Sequence, residues 1–390
     1  MKISFFKIIG ISALLFACNS RQPAASASET GNSSTNHSDS LNQQYPLQKI
    51  KLPPGFSISI YARVPHARSM TLSPKGTLYV GTRNDDKVYA ITDTNKDGKA
   101  DSVYVVAKNL DTPNGVVFVN GDLYIAQVSK IIKLPNIENQ LAHPPAPLTV
   151  YNKLPTDKHH GWKYLALGPD GKLYVPVGAP CNICDNKNPI YASICRLNTD
   201  GSNFEIYARG IRNTVGFTWH PLTRQLWFTD NGRDMMGDDM PGDELNTAPT
   251  AGMHFGYPYC HQGNIPDPEY GKGKNCNAFT APVQVLDAHV AALGMRFYTG
   301  KQFPAQYHNQ IFIAEHGSWN RSEPSGYRIS LVRINAEGRS LGRSNFAEGW
   351  LQPDGKVLGR PVDVQVMPNG SLLVSDDYSG LIYCIQYKGS

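Results

Sequence analysis

The sequence predicts an all-β chain, a six-bladed β-propeller closed by an N-terminal strand. Three observations predict it. One pattern, an apolar-alternating run, a turn and a second β run, recurs six times along the chain. Hardly any segment carries a long 3.6-residue period, so few helices are expected. A full strand-like run, Phe56 to Arg63, also precedes the first copy, where it can complete the last blade.

The copies run from Met70 to Gly81, Val116 to Ala126, Leu165 to Pro176, Phe217 to Thr229, the weaker Phe303 to Ala314, and Val364 to Ser375. Pro-Asp-Gly and Pro-Asn-Gly supply turn chemistry, and Val, Leu, Tyr and Phe supply β-forming flanks. A further strand-like run follows most copies: KVYAIT, KIIKLP, SICRLN, SLVRIN and LIYCIQ. The spacing fits four-stranded blades with variable insertions. A β-sandwich would not need six similar hairpins.

The N-terminus reads as an export signal. Lys2 and Lys7 give a basic start, and Ile8 to Ala17 is apolar but too short to span a bilayer. Leu-Phe-Ala-Cys ending at Cys18 resembles a bacterial lipobox, in which that Cys is acylated; the alternative is a plain signal peptide with an incidental Cys18. Residues 1–18 are therefore assigned to a lipoprotein signal peptide, 19–48 to a flexible Ser- and Asn-rich tether, and 49–390 to the propeller. The expected location is the bacterial cell envelope, lipid-anchored and facing the periplasm or the exterior.

About 340 residues is large for one ordinary core but natural for repeated blades. The formal charge of +5 is diluted, with no Lys/Arg run beyond pairs, which excludes a nucleic-acid footprint. Export permits disulfides. Cys260 and Cys276 bracket a polar, Gly-rich loop and form the best candidate pair, worth about 3 kcal/mol in the chain-entropy model. Cys195 and Cys384 lie inside apolar strand patterns and read as buried thiols. Cys181-Asn-Ile-Cys184 lacks the His that covalent haem attachment needs, leaving a local disulfide or plain thiols, with a four-Cys zinc site unsupported by spacing.

Because each copy is a hairpin, residues entering its first strand and leaving its second share one face of the disc. Arg68, Asn114, His160, Arg212 with Asn213, and Arg360 enter. Arg83, Asn231 with Gly232, Glu315 with His316, and Asp376 with Asp377 leave. His160 and Arg212 hold the same register, each nine residues before its turn proline, Pro169 and Pro221. One polar pocket at a mouth of the central channel is predicted, with His160 a candidate base and His159 behind it. Glycines 232, 237 and 242 among the acids of the Asp230–Glu244 loop suit a hard cation held by backbone oxygens. Asp93, Asn95, Asp97 and Asp101 follow the spacing of an EF-hand-like loop without its twelfth-position acid: either a structural Ca²⁺ site or a turn with incidental acids.

The segments LPPGFSISIYA, HHGWKYLALGPDGKLYV, GIRNTVGF, WFTDNGRD, GDELN, EHGSWNR and GRPVDVQVMPNGSLLVSDD resemble the soluble PQQ-dependent sugar dehydrogenases over roughly residues 50–388. These are six-bladed propellers that include glucose, aldose and L-sorbosone dehydrogenases. The sorbosone branch is the closer match, through CNIC, GSWNR and GRPVDV. The resemblance implies PQQ and Ca²⁺ as cofactors and His160 as the base that takes the C1 hydroxyl proton while hydride passes to PQQ. It implies that Arg212 stabilises charge on the quinone oxygen. Asn213, Asn231, Asn320, Arg321 and Arg360 correspond to cofactor contacts, and Gly232 and Arg233 to the backbone carbonyls that hold the active-site Ca²⁺. The implied substrate is an aldose or related aldehyde, and the implied partner is a membrane quinone or cytochrome. Two positions depart from the family. Ala179 stands where glucose dehydrogenases support the His with an Asp, and Val362 stands where they carry a second Arg. A non-redox glycan- or partner-binding propeller and a calcium-dependent lactonase remain the alternatives.

Overall fold

The computed structural model describes residues 45–389; the signal peptide, Cys18 and nearly all of the tether lie outside them. Six four-stranded antiparallel sheets form the blades of a propeller. Blade 1 comprises Ala67–Leu72, Leu78–Thr82, Val88–Thr92 and Ser102–Ala107, and blade 2 Gly115–Val119, Asp122–Ala126, Ile131–Leu134 and Leu148–Tyr151. Blade 3 comprises Ala166–Leu167, Leu173–Val177, Ser193–Leu197 and Glu205–Arg209, and blade 4 Phe217–Trp219, Leu226–Asp230, Gly242–Ala248 and Gln284–Ala288. Blade 5 comprises Ala292–Phe297, Ile311–Glu315, Arg328–Ile334 and Ser340–Ala347. Blade 6 takes Pro361–Val366, Leu372–Asp376 and Leu381–Tyr387 from the C-terminal end and its outermost strand, Phe56–Arg63, from the start. That strand pairs from Phe56↔Tyr387 to Arg63↔Leu381, which closes the ring as the sequence predicts. No α-helix occurs among the described residues.

The hairpins follow from their turns. Between Val119 and Asp122 only Asn120 (φ 48°) and Gly121 (φ 96°) intervene, the paired left-handed conformations of a tight two-residue turn. The fifth copy is corrected. Its first strand is Ala292–Phe297 rather than the run from Phe303, because a long connection containing the 3₁₀ turn Ala305–Tyr307 separates it from Ile311–Glu315. Phe303 instead stacks on Tyr298 at 4.3 Å inside the core between blades 5 and 6. That core also holds Trp350 and Tyr383, and Tyr45 and Leu47 pack against it. Blades 3 and 4 share a second apolar layer around Phe217 and Phe228. Burial between neighbouring blades is the main term holding the ring together.

Cys260 and Cys276 form a disulfide, with 5.6 Å between their Cα atoms. It closes the insertion of blade 4, where the short hairpin of Cys260–His261 with Ile265–Pro266 also sits. Cys181 and Cys184 form a second, local disulfide, and Cys195 and Cys384 are buried free thiols.

Candidate active site

A cavity of about 350 Å³ opens where the inner strands begin, and Arg68, His160, Arg212, Asn213, Asn231 and Arg360 line it. Arg83 and His316, which leave the second strands of blades 1 and 5, line it too. Residues from five blades thus meet in one pocket. Asn114 is buried beneath it against Arg68 (2.9 Å). Glu315 turns away, to ion pairs with Arg328 at 2.6 Å and Arg343 at 3.0 Å.

His160 is buried, in the left-handed region at φ 48°. Gly178 permits this approach, since a Cβ there would meet the His160 Cβ at 2.6 Å. The imidazole Nδ1 lies 2.8 Å from the Ala179 carbonyl oxygen. A carbonyl only accepts, so Nδ1 carries the hydrogen and Nε2 keeps its lone pair. Burial, then Arg212 and His159, hold the His160 pKa well below the ordinary imidazole value, so the ring is neutral at neutral pH. Position 179 thus orients the ring through its backbone carbonyl and not through a side chain.

Arg212 is clamped from several sides. Nε donates to the Asn182 carbonyl (2.8 Å), Nη2 to Asn182 Oδ1 (2.8 Å) and Asp234 Oδ2 (2.9 Å), and Nη1 to the Asn231 carbonyl (3.3 Å). Below it, Asp230 accepts the backbone N–H groups of Arg212 (2.9 Å) and Asn213 (2.7 Å). Asn231 donates to the Ala292 carbonyl at 2.7 Å and accepts from Asn213 at 3.3 Å.

Opposite lie three more arginines. Arg68 pairs with Asp377 at 2.9 Å. Arg83 lies flat on Trp162, 3.9 Å from its ring centre, with no carboxylate at ion-pair distance among the described residues. Burial and then the like charge of Arg68 lower the Arg83 pKa to about 10. Arg360 donates to the carbonyls of His316 (3.0 Å) and Gly317. Of the four arginines, Arg68 is matched by Asp377 and Arg212 by Asp234. Arg83 and Arg360 have no carboxylate at ion-pair distance among the described residues and leave unmatched positive charge. Three lining side chains also hold buried polar atoms without a partner: Trp162 Nε1, His289 Nδ1 and Asn320 Oδ1. Such a surplus of guanidinium and unmet hydrogen-bonding groups suits a planar, polyanionic ligand, and PQQ, a tricarboxylate quinone, fits it.

For a cation the fit rests on backbone. Gly232 lines the cavity directly after the Asp230 strand, and its N–H is held by Asp243 Oδ1 at 3.0 Å. Burial pushes the Asp243 carboxyl up to about 7. Among the described residues no group of three or more His, Cys, Asp or Glu side chains is arranged to hold a metal. A Ca²⁺ here would draw on backbone oxygens; of the two residues that the resemblance implies as its holders, Gly232 lines the cavity and Arg233 does not. Asp93, Asn95, Asp97 and Asp101 each accept a backbone N–H of their own segment: Asp93 from Gly98 (3.1 Å), Asn95 from Asp97 (3.0 Å), Asp97 from Lys99 (2.8 Å) and Asp101 from Thr94 (2.6 Å). These are turn bonds.

Asn320 lines the cavity and donates to Asp234 Oδ1 at 2.9 Å, but its neighbour Arg321 does not reach it. The Arg321 guanidinium ties down the Asp238 carbonyl and Asp239. The Arg233 side chain likewise leaves the cavity for Asp267 (2.5 Å), which His261 also meets at 2.8 Å. Sequence reasoning missed Asn182, Trp162, His289 and Trp319. Trp162 stood two residues past His160 and Trp319 within GSWNR, so both were adjacent to motifs; Asn182 and His289 carried no signal.

A family described as a domain of unknown function, DUF7133, matches residues 42–386. The chain belongs to this family. A relative from Borreliella burgdorferi, described as an uncharacterized protein, is 34% identical over 355 residues, covering 87% of this chain and 91% of its own. A pyrroloquinoline quinone-dependent pyranose dehydrogenase of Coprinopsis cinerea is 31% identical over 130 residues, which are 28% of this chain and only 17% of that protein. Among solved structures, the calcium structure of a Trichoderma reesei enzyme of carbohydrate-active family AA12 has a TM-score of 0.78 at 20% identity, over 89% of this chain and 99% of that one. The holo PQQ domain of Coprinopsis cinerea pyranose dehydrogenase has a TM-score of 0.73 at 21% identity, over 86% and 97%. At those identities the likeness is one of fold: this chain shares its propeller with the AA12 enzyme and with the PQQ domain of the pyranose dehydrogenase.

Proposed function

We propose that this DUF7133 member is a PQQ- and calcium-dependent dehydrogenase that oxidises an aldose or related, L-sorbosone-like aldehyde at C1. The observation that carries the reading is a neutral His160, Nε2 lone pair free, beside a clamped Arg212 in one arginine-rich cavity. His160 Nε2 takes the proton of the C1 hydroxyl of a sugar or aldehyde hydrate. Arg212 offers positive charge where negative charge grows, and the low dielectric of the buried site strengthens that attraction. Arg68, Arg83, Arg360, Asn213, Asn231 and Asn320 bind and orient the anionic cofactor, with Gly232 and Arg233 backbone oxygens holding Ca²⁺. PQQ, when bound, supplies the hydride acceptor. An acylated Cys18 and a flexible tether would place the domain beside a membrane electron acceptor.

Trp319 bears on the substrate. It is 68% exposed at the cavity rim, yet its loop is fixed by Ser318 N–H to the Ser325 carbonyl (2.8 Å) and by Tyr327 O–H to the Ser318 carbonyl (2.6 Å). An exposed indole on a hydrogen-bonded loop offers an apolar plane to a sugar ring. Stacking of about 0.5–1.5 kcal/mol corresponds to a KM increase of about 2- to 12-fold for pyranoses in Trp319→Ala. Acyclic aldehydes should show no such increase, as steady-state kinetics would reveal.

The function itself is tested by adding PQQ and Ca²⁺ to the purified protein. A PQQ difference spectrum and dye reduction with one or more members of an aldose and aldehyde panel are expected. Absence of both overturns the reading.

A further inference from the structure

Around Arg212 the connections between second and third strands of three consecutive blades converge, contributing Asn182, Asp234 and Asn320. Asn182 holds the centre. Its carbonyl accepts Arg212 Nε at 2.8 Å and its Oδ1 accepts both Arg212 Nη2 (2.8 Å) and the Asp234 N–H (2.8 Å), while its Nδ2 donates to the Asp234 carbonyl (3.1 Å). Backbone and side chain of one residue thus fix two of the three guanidinium nitrogens. Nη1, with only a 3.3 Å bond to the Asn231 carbonyl, is left to meet a ligand.

Asn182 lies inside the Cys181–Cys184 disulfide. So short a closed loop removes little chain entropy from the unfolded state, and its main effect is to stiffen the residues within it. The hairpin is anchored from outside as well: the Tyr257 hydroxyl accepts the Cys184 N–H at 3.1 Å and lies 3.5 Å from Cys181 Sγ. Nothing else in the fold requires a crosslink here, because the flanking strands Leu173–Val177 and Ser193–Leu197 are already paired in blade 3.

We propose that Asn182, stiffened by the Cys181–Cys184 disulfide, is the positioning residue that aims Arg212 Nη1 into the cavity. The role assigned to Arg212 rests on the dehydrogenase reading; the clamp itself does not. Misplacing a catalytic group by about 1 Å can cost on the order of 100-fold in rate, so a device that fixes one guanidinium is consequential.

Two variants separate the parts. Asn182→Ala removes the Oδ1 and Nδ2 bonds and keeps the backbone carbonyl. Cys181→Ser/Cys184→Ser keeps every polar partner and removes only the stiffness, with Cys260→Ser/Cys276→Ser as the control crosslink. The primary readout needs no cofactor: side-chain N–H exchange of Arg212 in ¹⁵N-arginine-labelled protein, its signal assigned by its loss in Arg212→Lys. Exchange about 10-fold faster or more in both test variants, with an unchanged far-UV spectrum and wild-type exchange in the control, is expected. Wild-type protection of Arg212 in both test variants overturns the proposal. In the PQQ-loaded protein, kcat should fall about 10-fold or more in Asn182→Ala with sugar KM unchanged; faster exchange with unaltered kcat overturns the positioning role. If the wild type reduces no dye with any sugar, the dehydrogenase reading fails while the exchange result still decides whether Asn182 clamps Arg212.

Discussion

Replacing His160 with alanine is expected to slow PQQ-dependent sugar oxidation by about 10²–10⁴-fold, the usual worth of a positioned general base. PQQ binding, carried by arginines and amides rather than by this imidazole, should persist in the difference spectrum. Loss of binding together with loss of rate would assign His160 a structural role instead. The pH profile adds a second check. A base works deprotonated, and burial followed by Arg212 and His159 lowers the His160 pKa well below 6.5. The acidic limb of kcat/KM should therefore fall below pH 6.5, with activity sustained through neutrality. The same shift makes His160 destabilising as the pH drops under 6.5, because the unfolded chain then takes up a proton that the folded site refuses. His160→Ala should remove that share of acid sensitivity. A profile with its acidic limb well above 6.5 would exclude this imidazole as the base.

Much of this site was legible because it lies in the repeated part of each blade. A proline-containing turn fixes how far back the entry residue stands, so His160 and Arg212 could be placed on one face from spacing alone. Closure by Phe56–Arg63 was legible for the same reason, since the sixth copy lacked one strand and the N-terminus had one to give. Where the repeat is interrupted, legibility ended. The long connection after Phe297 hid the first strand of blade 5 and drew attention to Phe303, which is core. Side-chain direction in loops was beyond reach too. Arg233 and Arg321 sit beside cavity residues, yet their guanidinium groups pair with Asp267 and Asp239, because a partner several connections away decides where a long side chain points. Asn182 shows the converse: a residue in an insertion, visible only as the filling of a Cys-x-x-Cys, reaches the centre of the site because neighbouring insertions fold over it.

Asp377→Ala is expected to lower the stability of the propeller by about 3–5 kcal/mol, the cost of breaking a buried ion pair from one side. Asp377 accepts Arg68 Nη1 at 2.9 Å and the His316 Nε2–H at 2.7 Å, and Arg68 is only 1% exposed. Arg68 Nε continues to Asn114 Oδ1 at 2.9 Å, whose Nδ2 reaches the Lys163 carbonyl at 2.7 Å. The chain of contacts therefore runs from blades 5 and 6 across the seam between blades 6 and 1 to blades 1, 2 and 3. Removing the carboxylate leaves a nearly buried guanidinium in the cavity wall without its counter-charge. Burial alone would raise the Asp377 pKa, but His316 and Arg68 hold it far below the usual carboxylate range. A depressed folded-state pKa gives stability that is present above about pH 4 and lost as the pH falls below it, so the deficit of the variant should be full at neutral pH and shrink in acid. Urea denaturation at pH 7 and pH 3 measures both. Arg68→Ala/Asp377→Ala should lose less than the two single changes added together, because neither charge is then left alone. Additive losses, or a single variant as stable as the parent, would show that the seam is held by apolar packing between blades and not by this pair.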